Sequence, residues 1–446
     1  MFHVKRQGWR CLIAAFMATS LLLGSLNVPT VAFGTSPPPN RPQQNFVPGV
    51  LLARPEPGVA TTRIATLIGA REGPPVAPGL GVQKFEVQPG HEQTSVERLR
   101  RSGLVAGASL DYIRHVAVVP DDPDYPDQWD LPKIDAPGAW QTTLGSSSTT
   151  VAVIDSGYDF GHPDRPTHLI AGPTYTSTAA ADGCPPEGID GPQDDLGHGT
   201  HVAGTIAAGF DNGIGVAGLA PNVSVLIVKA ADCTGNLADS DVVAAIEYAA
   251  DHGASVINMS FGGPEQDDIL DQAVEDAWSK GVVLVAAAGN QSSSAPFYPA
   301  WSPDVMAVSA TDQNDSPAWF SNYGPDIAVA APGVNILSTV PSFDNATGYA
   351  AESGTSMAAP HVSATAALVL SAAPGLTNVQ VVQAIERGAV SLGPGCPNPY
   401  YGYGRVDVAA ALAMAQAMVP SGSLAPQSLA NRVFLPFVTN GACSLP

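Results

Sequence analysis

The chain has 446 residues, 45% hydrophobic and only 13% charged, and its 19 Lys and Arg stand against 40 Asp and Glu for a net charge of −21. So acidic a balance excludes nucleic acid and anionic membrane as main partners, and the composition excludes collagen and coiled coil. The charge is uneven: residues 1–115 sum to +6 and the remainder to −27, so a basic front is joined to an acidic body that would attract it.

Lys5, Arg6 and Arg10 precede the apolar and small-residue run Cys11–Leu26, with small residues following near Thr30–Ala32. A positive head, a short apolar stretch and a small-residue cleavage site predict an export signal over residues 1–34 and a secreted protein. The run is shorter than the roughly 20 residues a membrane span needs, and no stable membrane association is expected. Residues 35–48 read as a Pro-rich linker. Residues 49–119 read as a small α+β domain, with strands at Val50–Ala53, Gly81–Val87 and Tyr112–Val119 and helices at Thr61–Gly69 and Ser95–Leu104. That alternation over some 70 residues carries no constellation of catalytic side chains.

From residue 150 short β-branched runs alternate with helical periods. The runs are Thr150–Ile154, Val223–Val228, Ser255–Met259, Val282–Ala287 and Val305–Ser309; the helices are Asp239–His252 and Asp267–Gly281. Strands apolar on both faces and separated by helices predict an α/β domain over 120–418, a doubly wound, mostly parallel sheet with helices on both faces. Such sheets carry their sites at the carboxyl ends of the strands. A long small-residue helix is expected around residues 357–373, and residues 419–446 form a Ser/Pro/Leu-rich tail.

Four local patterns sit where that architecture puts a site. Val151-Ala-Val-Ile-Asp155-Ser-Gly157 is a buried strand ending in a carboxylate and a turn. Gly197-His198-Gly-Thr-His201 opens a helix with a histidine, and Gly354-Thr-Ser356-Met starts another with a serine. Ala286-Ala287-Ala288-Gly289-Asn290 ends a strand in a side-chain amide. Acyl transfer needs these types: a hydroxyl nucleophile, a base near neutral pKa, a carboxylate to orient it and donors for the oxyanion. His201 and His361 read as packing histidines. His198 and His201 at i, i+3 could form a metal pair, but no HExxH arrangement supports it.

The ordered set Asp, His, Asn, Ser resembles the subtilisin-like serine peptidases, the order being that of subtilisin itself. The resemblance covers about residues 120–416. It implies that Asp155 orients His198, that His198 is general base and then acid, that Ser356 is the nucleophile and that Asn290 donates to the oxyanion. Ser260-Phe261-Gly262-Gly263 matches the segment that lines the primary pocket and pairs with substrate backbone, with Ala287, Ala288 and Gly289 as the opposite wall. A broad preference for apolar or aromatic side chains before the scissile bond is expected. The resemblance also implies a structural calcium ion held by Asp122, Asp164, Asn212 and the carbonyls of Phe210, Ile214 and Val216, an oxygen set suited to a hard cation.

Residues 49–119 resemble the family's inhibitory propeptide, which implies a self-processed precursor cut between His115 and Asp122. Protein and peptide substrates, the chain's own propeptide as inhibitor and a monomeric state are the expected partners. Cys184, Cys233, Cys396 and Cys443 allow three pairings; family members that bridge similar positions favour Cys184–Cys233, leaving Cys396–Cys443 to hold the tail. Two other readings stand beside the peptidase: a catalytically silent binding protein of the same fold, and a peptide ligase or cyclase using the same acyl-enzyme.

Overall fold

The computed structural model describes residues 46–112, 118–178, 184 and 191–419. The export signal, most of the linker, nearly all of the tail and the segment 113–117, which overlaps the expected cleavage region, lie outside the described residues. No helix among the described residues is long and apolar enough to cross a membrane.

Residues 46–112 form strands β1 (Phe46–Pro55), β2 (Arg71–Ala77), β3 (Val82–Glu86) and β4 (Val105–Tyr112), with helices α1 (Thr61–Ile68) and α2 (Glu92–Ser102). The sheet is antiparallel in the order β2-β3-β1-β4. Leu51, Ile64, Phe85, Val96, Leu99 and Leu110 fill its core. Strand β4, VAGASLDY, has no counterpart among the expected elements because it mixes glycine and polar residues with its apolar ones; of the expected strand Tyr112–Val119, residues 113–117 lie outside the described residues. Strand β2, REGPPVA, was not foreseen at all: it is a largely exposed edge strand, where prolines are tolerated because one row of N–H groups needs no partner.

The larger body is a seven-stranded sheet in the order β11-β10-β9-β8-β5-β7-β6, built from β5 (Thr150–Asp155), β6 (His168–Thr174), β7 (Ser224–Lys229), β8 (Val256–Met259), β9 (Val283–Ala287), β10 (Val305–Thr311) and β11 (Ile327–Pro332). Every pairing is parallel. Side chains alternate between two cores, as a period of two requires. Val151, Val153, Val225, Ile227, Val283 and Val285 face one side; Ala152, Ile154, Leu226, Val228, Leu284 and Ala286 face the other.

The first side is covered by α5 (His198–Ala207), α8 (Thr355–Ala372), α9 (Asn378–Gly388) and α10 (Val408–Met418), the second by α6 (Asp239–Asp251) and α7 (Asp268–Ser279). Each Val, Leu or Ile so buried contributes about 1.5–3 kcal/mol. Two short helices, α3 (Asp130–Lys133) and α4 (Ala136–Trp140), precede β5, and the hairpin β12 (Ile336–Thr339) and β13 (Tyr349–Glu352) precedes α8.

Helix starts carry local capping signals. Asp267 caps α7 by accepting from Ile269 and Leu270 N–H, Thr377 and Gln380 form a capping box on α9, and Asp407 caps α10. Helix α8 is buried over nearly its whole length; its alanines let it lie close against the strands. Strand β5 lies between β7 and β8, where the chain, having run to one edge, crosses over to build the other half. A doubly wound sheet opens its crevice at that reversal.

Candidate active site

Strand β5 delivers Asp155, only 3% exposed, at the reversal point. The strand ends there because Gly157 turns the chain at φ 110°, a conformation that suits glycine. A Cβ on Gly157 would lie 2.5 Å from the Pro192 carbonyl, and one on Gly199 would collide with the Gly157 carbonyl. The two glycines thus let α5 close on β5, and His198 Nδ1 donates to Asp155 Oδ1 at 2.8 Å. Asp155 Oδ1 also accepts from Ser156 N–H at 2.7 Å. Burial by itself would lower the His198 pKa, but the charge and hydrogen bond of Asp155 outweigh it and lift the imidazole to about 9. The side chain keeps 29% of its surface exposed, so the far edge of the ring is within reach of a ligand.

A residue that sequence reasoning passed over holds this corner together. Asp194, 2% exposed, accepts five hydrogen bonds. They come from Ser156 Oγ, Leu196 N–H and Gly197 N–H on one oxygen, and from Thr200 N–H and Oγ on the other. It places an anion at the N-terminus of α5, where the helix dipole favours one, and ties the His198 helix to the loop after Asp155. Lys229, paired with Asp155 across the β5–β7 ladder, is also buried and donates from Nζ to the Ser156 carbonyl at 2.8 Å and to Asp195 at 2.5 Å.

Ser356 lies in the first turn of α8, whose leading N–H groups have no intrahelical acceptor. Pro360 sits four residues on. Lacking an N–H, it cannot satisfy the Ser356 carbonyl, and Ser260 Oγ donates to that carbonyl instead at 2.9 Å. Ser356 Oγ in return donates to the Ser260 carbonyl at 2.9 Å. Asn258 Nδ2 donates to Ser260 Oγ, and Ser363 Oγ donates to Asn258 Oδ1, so a buried polar chain joins the helix to the segment after β8.

Asn290 follows β9, and its Oδ1 accepts from both the N–H and the Oγ of Thr355 at 2.9 Å. With the oxygen engaged, Nδ2 is the end left for the cleft. Asn322, 2% exposed, staples this loop. Its Nδ2 donates to the Ala288 carbonyl and Gln291 Oε1, and its Oδ1 accepts from Gln291 and Ser293 N–H.

One cleft of about 560 Å³ is lined by Asp155, His198, Asn290 and Ser356 together with Ser260, Phe261, Gly262, Gly263, Ala287 and Gly289. Ala288 does not join them: it is fully buried and packs in the second core. His201 is a packing residue. It is fully buried, with Nε2 on the Ile336 carbonyl at 2.9 Å, and burial depresses its pKa to about 3. His361, also buried, meets Asp130 Oδ2 with Nε2 and donates from Nδ1 to the Met357 carbonyl, both at 2.9 Å; no sequence motif pointed to that pairing.

The Cys184–Cys233 disulfide is present, with Cα atoms 5.7 Å apart. Its 49-residue separation is worth about 4 kcal/mol by the chain-entropy argument, and it anchors a loop whose Gly235, Asn236 and Leu237 line the cleft. The Cys396–Cys443 pairing involves a residue outside those described. Among the expected calcium ligands, Asp122, Asp164 and Asn212 meet in one cluster. Asp122 accepts from Asp211 and Asn212 N–H, and Asp164 from Asn212 Nδ2 and Val216 N–H. Phe210 packs its ring on Trp140, and Ile214 is exposed.

Residues 146–404 match the Subtilase family. The chain is 42% identical over 327 residues to the thermophilic serine proteinase of Bacillus sp. (strain AK1), covering 73% of this chain and 77% of that one. It is 41% identical over 290 residues to thermitase of Thermoactinomyces vulgaris, covering 65% and 97%. A solved protease structure from Pseudoalteromonas arctica superposes with a TM-score of 0.60 at 34% identity, covering 67% of this chain and all of that one. With a family match over residues 146–404 and a relative named as a serine proteinase at 42% identity, the chain belongs to the subtilase family and is a serine endopeptidase.

Proposed function

We propose that Asp155, His198 and Ser356 form the catalytic triad of a secreted endopeptidase that matures from its own precursor. The observation that carries this reading is the convergence of the Asp155–His198 pair, the Ser356 helix start and the Asn290 amide on one cleft. A peptide entering as an added strand along Ser260–Gly263 takes over backbone hydrogen bonding there. Ser356 Oγ then leaves the Ser260 carbonyl, gives its proton to His198 Nε2 and attacks the scissile carbonyl. Asn290 Nδ2 and the first-turn N–H groups of α8 stabilise the oxyanion. His198 protonates the departing amine, and water reverses the sequence to free the acid.

Mature wild type should hydrolyse casein and be labelled at Ser356 by a serine-directed phosphonate, seen as one mass adduct on the peptide containing it. Asn290→Ala should keep the labelling site and lose about 10²–10³ in kcat, the magnitude known for the equivalent amide of subtilisin. A drop below tenfold would remove Asn290 from the oxyanion site.

Residues 1–34 act as the export signal, and the small domain inhibits the cleft until it is cut off between His115 and Asp122. The fold of residues 46–112 and the opposite charges of the two bodies support this; the enzyme acts as a monomer. The cluster at Asp122 and Asp164 suits a hard cation. The two carboxylates are 2% and 0% exposed, burial raises the pKa of both, and each meets a further acidic neighbour. Among the described residues neither has an ion pair. A calcium ion held by Asp122, Asp164, Asn212 and the carbonyls of Phe210, Ile214 and Val216 would offset that repulsion and contribute stability rather than chemistry. Chelation should therefore lower the melting temperature by roughly 5–10 °C, and Asp164→Ala should abolish the difference. A melting temperature indifferent to chelator would remove the ion from the account.

A further inference from the structure

We propose that Phe297 closes the floor of the primary pocket, so that this enzyme takes only a small residue (Gly, Ala or Ser) immediately before the scissile bond. The proposal rests on the peptidase reading above and replaces the broad apolar or aromatic preference expected from the sequence. The pocket is the slot between two backbone walls, Ser260–Gly263 and Ala287–Gly289, and Phe297 lines the same cleft.

The ring reaches both walls. A Cβ built on Gly262 would lie 2.5 Å from Phe297 Cε1, and one on Gly289 would lie 3.0 Å from Phe297 Cδ1. The glycines that open the slot are thus also the positions against which the phenyl edge rests. A second large side chain cannot enter the same space without expelling the first.

Retreat of the ring by a backbone shift is opposed from both sides. Gly263 N–H donates to the Tyr298 carbonyl at 2.9 Å, and Tyr298 N–H donates to the Gly263 carbonyl at 2.7 Å. Trp301 N–H donates to the Phe297 carbonyl at 3.0 Å, and Pro299 and Ala300 are buried. The segment is therefore stitched to the very wall it faces. Rotation of the side chain alone would have to lift a half-buried apolar ring into water. A methyl group or hydrogen needs no such movement.

The test compares two chromogenic tetrapeptides that differ only in the residue before the leaving group, Ala in one and Phe in the other. The ratio of their kcat/KM values within one enzyme preparation cancels the active fraction. Wild type should favour Ala by at least about tenfold, the discrimination a single excluded methylene already supplies. Phe297→Gly should move the ratio toward Phe by about 100-fold and invert the preference, with Phe297→Leu in between. Wild type that cleaves the Phe peptide as well as the Ala peptide overturns the proposal. So does a phosphonate-reactive Phe297→Gly or Phe297→Leu whose ratio stays where wild type has it. A wild type that cleaves neither peptide and resists the phosphonate overturns instead the peptidase reading on which the proposal stands.

Discussion

Ser356→Ala should leave a folded chain with no measurable turnover. The substitution deletes one hydroxyl whose only hydrogen bond in the described structure goes to the Ser260 carbonyl, so the stability change should stay within about 1 kcal/mol. The Ser356 carbonyl keeps its bond from Ser260 Oγ, and the start of α8 is held by Asn290 through Thr355, so the rest of the site keeps its shape. Catalysis should collapse, because the hydroxyl proposed to form the acyl-enzyme is gone. In subtilisin the loss of the nucleophile costs about two-million-fold in kcat, and a loss of that order is expected here. The same variant addresses maturation: wild type should yield a shorter mature form, while Ser356→Ala should accumulate as the precursor unless active protease is added. Precursor that shortens equally in both would refute self-processing without touching the triad.

Asp155→Asn should cost about 10⁴ in kcat. The amide can still accept from Ser156 and His198 through its oxygen, so the imidazole need not lose its place, but the charge that stabilises the imidazolium in the transition state is gone. The pH dependence makes the cause visible. Asp155 outweighs burial and lifts the His198 pKa to about 9. As the proposed base, His198 must be neutral to take the Ser356 proton, so wild-type kcat/KM should rise with pH through that region.

Stability runs the opposite way. A histidine whose pKa is raised by folding stabilises the native state below its unfolded value of about 6.5, and that contribution is lost as pH rises through about 9. The enzyme thus works best where the pair holds the fold least. In Asp155→Asn burial is left dominant, and the rising limb of the residual activity should move to lower pH. An unchanged limb, or a loss smaller than tenfold, would show that Asp155 does not set the base.

Several features were legible in the sequence because they are local. Strands buried on both faces read as unbroken apolar runs, so β5, β7, β8, β9 and β10 could be located within a residue or two. The turns and helix starts that carry Asp155, His198, Asn290 and Ser356 are each written in a handful of consecutive residues. Strands outside that pattern are harder to read: β6 and β13 have no fully buried residue, β2 is a Pro-containing edge, and β4 mixes glycine and polar residues with its apolar ones; β11, six residues and mostly buried, is the exception, with the same apolar pattern as the strands that are located.

The candidate reactive groups and the kind of sheet that presents them are thus written locally in the chain. How those groups are held, and what they admit, is set by contacts between distant segments. Asp194 accepts from Ser156 38 residues away, Ser260 answers the carbonyl that Pro360 leaves without a helical partner, and His361 finds Asp130 from 231 residues away. None of these partnerships has a spacing that could announce it, because each joins segments whose distance apart is set by the packing of helices on the sheet. Phe297 is the clearest case. In the sequence it is one aromatic residue in a polar loop; in the fold it stands between Gly262 and Gly289, which follow the neighbouring strands β8 and β9, and the slot it narrows does not exist until those strands lie side by side.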